Sequence, residues 1–222
     1  MSTSLEDKQK QALVALSQGN IVDGISSLRE CVDLCESEKG PNSLDTAQAV
    51  FSLALCLARD PECDPDSVIA HGKRALSIRQ TVYGRVHASV ALTAEFLANF
   101  FLSKSRNSEA EEMFRLALEN AEQLVGAHHV NTAKLQLQLS DILVKSGRAE
   151  EALSLAEKGV ETRKRFFPHN SPEYHSAVYC LAAALIANND PGRAESVVST
   201  LQEGSTETKD DGVFAPNQQA MR

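Results

Sequence analysis

The sequence predicts an all-α solenoid built from five copies of a helix–turn–helix unit. Three observations carry this. Similar residues recur at one fixed offset, apolar residues inside each copy fall at helical spacing, and all seven prolines lie outside the helix interiors so defined. A single helical hairpin cannot cover its own apolar face, so repeated hairpins bury it by stacking on their neighbours.

The offset is 42 residues and holds at independent positions. It relates His87, His129 and Ser171; Leu97, Leu139 and Leu181; Phe101, Leu143 and Leu185; and Ala110, Ala152 and Ala194. It also relates Ala98, Ser140 and Ala182, all small, which lets helix backbones approach closely while Leu and Phe fill the surrounding space. An upstream copy, with Ser43, Leu53, Ala54 and Leu57, precedes these by 44 residues. Its two extra residues fall in Asp60-Pro61-Glu62-Cys63-Asp64-Pro65-Asp66, a run of turn formers. The first copy is more degenerate: Ala12, Gly24 and Cys31 keep the mutual spacing of Ala98, Ala110 and Ala117.

Ten helices follow, at about 5–18, 22–36, 44–59, 66–80, 88–104, 108–123, 130–146, 150–164, 172–188 and 191–203. Ser171-Pro172 and Asp190-Pro191 each place a capping side chain before a proline at the first helical position. Ser108 followed by Glu111 reads as a capping box, and Gly19, Gly147 and Asn188-Asn189 mark turns inside their repeats. The repeats span about 5–40, 43–84, 87–126, 129–168 and 171–203, giving one solenoid over 1–203. The stretch 204–222 has no periodicity and is expected to be a disordered tail. Its Val213-Phe214 pair is a candidate for docking back as an autoinhibitor.

Composition narrows the function classes. A 42% apolar and 23% charged chain is ordinary for a globular protein, and no apolar run approaches the roughly 20 residues that span a bilayer. The first residues lack a secretory pattern, so the expected location is the cytoplasm. A net charge of −8 disfavours nucleic acid and anionic membrane surfaces, which need a basic face. Cys31 and Cys35 share a helix face, but no second pair supplies further ligands, and adjacent His128 and His129 cannot aim at one ion from a regular helix. No metal or cofactor is expected. Neither a phosphate loop nor a nucleophile elbow occurs, so no catalytic residue is nominated and the chain is read as a non-enzyme.

The repeat length, the His-Ala or His-Val opening, the Leu-Ala pair in the first helix and turns such as Gly147-Arg148-Ala149-Glu150-Glu151-Ala152 resemble the tetratricopeptide repeats of kinesin light chains. The resemblance covers roughly residues 5–203. It implies a right-handed superhelix whose first helices line a concave groove for an extended or helical peptide. Light-chain repeats usually carry Asn just before the Leu-Ala pair, to grip the cargo backbone. Here Lys10, Ser52, Phe96, Gln138 and Cys180 stand at that place. The Lys and Asn clamp of chaperone-binding relatives is replaced by Gln9 and Leu13, and no heptad segment precedes residue 5. A true motor light chain is therefore not expected.

Given that fold, residues at i, i+3 and i+7 of each first helix share the groove face. The expected partner-binding residues are Gln48, Phe51, Glu95, Asn99, Lys134, Asp141 and Tyr179. Acidic Glu95 and Asp141 beside Phe51 and Tyr179 suit a protein or peptide with basic and apolar side chains. The expected function is thus a protein–protein interaction adaptor. The alternative is a structural subunit of a larger complex that uses its outer surfaces.

Overall fold

The computed structural model describes residues 5–203. The tail 204–222, with its Val213-Phe214 pair, lies outside them. Among the described residues there are ten α-helices and no strand: α1 (Leu5–Ser17), α2 (Ile21–Lys39), α3 (Leu44–Leu57), α4 (Pro65–Tyr83), α5 (Ala88–Ser103), α6 (Asn107–Leu124), α7 (Val130–Lys145), α8 (Ala149–Phe166), α9 (Pro172–Ala187) and α10 (Pro191–Glu203). None is long and apolar enough to cross a membrane. Odd-numbered helices are the first helices of their repeats, and even-numbered ones the second.

The period is visible in how the helices start. Ser43, His87, His129 and Ser171 are the N-caps of α3, α5, α7 and α9. The Ser43 hydroxyl accepts from the Thr46 amide at 3.1 Å, and His129 Nδ1 accepts from the Asn131 amide at 3.1 Å. Each satisfies an amide left without a partner in the first turn. The turns repeat as well. Ser105, Gly147 and Asn189 stand one period apart, with φ of 59°, 74° and 58°. One backbone shape is thus kept, although only the middle residue is glycine. Pro65 and Pro172 occupy first-turn positions, where the missing N–H costs nothing. The proposed capping box departs from this: α6 begins at Asn107, so Ser108 lies inside the helix rather than before it.

The chain divides into two compact units between Arg106 and Asn107. In the first, α2 packs against both α1 and α3, and α4 against both α3 and α5. Ile25, Leu28, Cys31, Val50, Leu53 and Cys56 belong to its core. In the second, α8 packs against α7 and α9, α10 against α9, and α6 against α7. Phe114, Leu139, Ile142, Leu143 and Leu185 are fully buried there.

Ion pairs tie successive second helices together. Arg74 of α4 meets Glu36 of α2 at 2.6 Å. In the second unit Arg115 of α6 reaches Glu151 of α8 at 2.6 Å, Arg148 reaches Glu111 at 2.5 Å, and Arg193 reaches Glu157 at 2.9 Å. Burial alone would raise the Glu151 carboxyl, but hydrogen bonds and charge from Arg115 and Arg148 outweigh it and hold the group below its ordinary value. Single exposed pairs add at most about 1 kcal/mol each, so the linked pairs of the second unit matter more than the lone ones.

Candidate functional site

In the first unit, α1 and α3 leave an apolar cleft of 390 Å³ lined by Leu13, Leu16, Leu28 and Leu55, with Gln48, Ser52 and Arg59 also on its wall. Leu13 is 68% exposed and Leu55 42%. On α5, Leu92 is 56% exposed, Asn99 is exposed and Glu95 is half-buried. The Asn99 amide donates to the Glu95 carbonyl at 2.9 Å.

Gln48 and Phe51 are held by Arg79 of α4. Arg79 is only 4% exposed. It donates to Gln48 Oε1 at 2.8 Å, to Thr93 Oγ1 at 2.5 Å and to the Ser89 carbonyl at 3.3 Å, and lies 4.4 Å from the centre of the Phe51 ring. Burial lowers its pKa, with Tyr83 opposing. Phe51 is 3% exposed and meets Phe96 edge to face at 5.5 Å. Phe51 therefore supports the first-helix face from beneath, while Gln48 stands on it.

In the second unit, Lys134, Asp141 and Tyr179 are all exposed. Asp141 and Tyr179 line one cleft of 660 Å³, with Asn170, His175, Ser176 and Ala183. An adjoining cleft of 340 Å³ is lined by Lys134, Leu137, Gln138, Arg163 and Glu173. Asp141, Pro172, Ser176 and Cys180 belong to both. The α7 and α9 faces thus bring three predicted residues to one surface; Gln48, Glu95 and Asn99 stand on α3 and α5 of the first unit.

Arg163 is half-buried, with its guanidinium 4.8 Å from the Phe167 ring and its Nε buried without an acceptor. Burial lowers its pKa, with Glu173 opposing. Arg79 and Arg163 lie two periods apart. That recurrence was the signal that could have found them in the sequence. Leu13 and Leu16 carried a weaker signal, because the first copy keeps so little of the pattern.

Burial pushes the Cys180 thiol up to about 12, the Asp141 charge and hydrogen bond add to this, and Ser140 opposes. Cys31, Cys35 and Cys56 are also buried and raised, whereas Cys63 is only half-buried. Since the thiolate is the reacting species, one fast thiol, Cys63, is expected with Ellman reagent on the native protein. Burial, Asp60 and Asp64 raise the Cys63 pKa, so its rate should still be climbing above pH 9.0. Alkylation and peptide mapping check this; a rapidly labelled Cys180 would contradict it.

Residues 89–165 match the tetratricopeptide repeat family model. Human tetratricopeptide repeat protein 19, mitochondrial, is 24% identical over 125 residues; the match covers 56% of this chain and 32% of that protein, about a third of its length. Among solved structures, nearly identical TPR-like repeats of the kinesin light chain type from Podosopora anserina superpose with a TM-score of 0.75 at 15% identity, covering 93% of this chain and 97% of that one. The MamA protein gives 0.69 at 12% identity, covering 97% and 100%. A Rap protein complexed with competence and sporulation factor gives 0.54 at 14%, covering 93% and 57%. The fold is that of tetratricopeptide repeats, which generally mediate protein–protein interactions and are typically non-enzymatic. Residues 89–165 thus carry the tetratricopeptide repeat signature, and the fold of the chain is similar to that of kinesin light chain-type repeats.

Proposed function

We propose that the chain is a non-catalytic adaptor of the cytoplasm that holds a peptide or helix of a partner protein on the face of its first helices. One observation carries this reading: large apolar and aromatic side chains on that face are open, with Leu13 at 68%, Leu92 at 56% and Tyr179 at 58% exposure, and clefts lie beside Leu13 and Tyr179. Exposed apolar groups lining a cleft are a recurrent mark of a recognition surface. Gln48, Glu95, Asn99, Lys134, Asp141 and Tyr179 would touch the partner, with Phe51 as support. Glu95 and Asp141 favour basic side chains among apolar ones. The second helices spend much of their charged surface on ion pairs with each other, which suits a scaffold role. The proposed extent is five repeats over 5–203, followed by a tail.

A second reading, a structural subunit that uses its outer surfaces, draws on Val82, Leu124 and Val125. These lie at or just past the ends of α4 and α6 and are 48%, 46% and 47% exposed. One comparison separates the two. Affinity purification with Glu95→Lys/Asp141→Lys should lose the partner held by the wild type, with affinity weakened by more than about 1 kcal/mol. A folded double mutant that retains its partners would sink the adaptor reading. A Val82→Lys/Leu124→Lys protein that loses them instead would establish the second.

A further inference from the structure

Asp141 stands where the two clefts of the second unit meet, and their charges differ. The larger cleft, which holds Tyr179, is lined by no lysine or arginine, and Asp141 is its one carboxylate. The smaller carries Lys134 and Arg163 opposite Glu173. Among the described residues Asp141 makes no ion pair. Cys180 lines both clefts beside it, its thiol donating to the Leu137 carbonyl at 3.5 Å. The Asp141 carboxylate is exposed. Tyr179, the residue before Cys180, lines the same cleft with its ring 58% exposed.

An exposed carboxylate and an open aromatic ring in one cleft form a receptor for a cation, since the carboxylate supplies the counter-charge and the ring face attracts positive charge. We propose that this cleft seats a lysine or arginine side chain of the bound segment, between the Asp141 carboxylate and the Tyr179 ring. The assignment rests on the adaptor reading of the same face and gives it one specific subsite.

The test uses the full chain and the probe peptide acetyl-Ala-Ala-Arg-Ala-Ala-amide, followed by amide chemical shifts at low salt. Shifts are expected on α7 around Asp141 and on α9 around Tyr179. The peptide with norleucine in place of arginine should bind at least about tenfold more weakly, as should the arginine peptide to Asp141→Asn, because both lose the charge pair. Glu150→Gln, an exposed change of the same net charge on α8, should bind the arginine peptide as the wild type does. Equal shifts with the two peptides, arginine binding unchanged in Asp141→Asn, or no shifts at all would each overturn the proposal. Partner loss in Glu95→Lys/Asp141→Lys without arginine-dependent shifts would overturn the subsite and leave the adaptor standing. Arginine-dependent shifts with all partners retained would do the reverse.

Discussion

Phe114→Ala is expected to be among the most damaging single changes in the second unit, lowering its stability by about 3–5 kcal/mol. Phe114 is fully buried in α6. The same register position holds Gly72 in α4 and Ala156 in α8, so one repeat site takes three very different volumes. At Gly72 a neighbour fills the space, since a Cβ there would come within 2.6 Å of Leu97 Cδ2. At position 114 the second helix supplies the volume itself. Truncation loses the transfer free energy of the ring and leaves a cavity that a helical stack closes only in part. Phe114→Leu should cost less than half as much, because it keeps most of the apolar volume. Urea titration followed by far-ultraviolet circular dichroism reads both. A Phe114→Ala protein within about 1 kcal/mol of the wild type would mean that the neighbours collapse into the space.

That contrast marks the boundary of what was legible in the sequence. The period fixed the ten helices, because Leu97, Leu139 and Leu181 recur with His87, His129 and Ser171 at one offset, and apolar spacing is a local signal. Helix ends were off by up to three residues: α4 runs on to Tyr83 and α2 to Lys39, where apolar spacing had faded. Ser108 was nominated as a cap on its chemistry, but Asn107 already belongs to the helix. On the candidate face, spacing within one helix placed Asn99, Lys134, Asp141 and Tyr179 at the surface, where they are exposed. It also placed Phe51 there, yet Phe96 and Arg79 come from two other helices to cover that ring. Contacts spanning 28 to 45 residues have no trace in the spacing of a single helix, and for the same reason the charge difference between the two clefts of the second unit was not foreseen.

Gly159→Val in α8 is expected to destabilise the second unit by about 3 kcal/mol, through overpacking rather than a cavity. Its register position holds Cys31, Ala75 and Ala117 in the earlier second helices, at 1%, 0% and 0% exposure. At Gly159 the approach of α8 to α7 is tight. A Cβ would stand 2.7 Å from Leu137 Cγ and 3.3 Å from the Ala133 carbonyl oxygen of α7. The leucine can swing away, since it is half-buried on the cleft side. The carbonyl belongs to the α7 backbone and cannot move without the helix. Gly159→Ala sets that crowding against a helix-propensity gain of up to about 1 kcal/mol, so the two should nearly cancel. Valine adds two methyl groups and a restricted rotamer, and strain wins. Because Leu137 lines the cleft beside Lys134 and Asp141, the strained variant should also bind a partner more weakly than its residual folded fraction explains. Thermal unfolding of the glycine, alanine and valine proteins gives the first comparison, and binding at a temperature where all three are folded gives the second. Valine as stable as alanine would mean that α8 can draw back from α7. Full affinity in a destabilised valine protein would separate the packing of this hairpin from the site it carries.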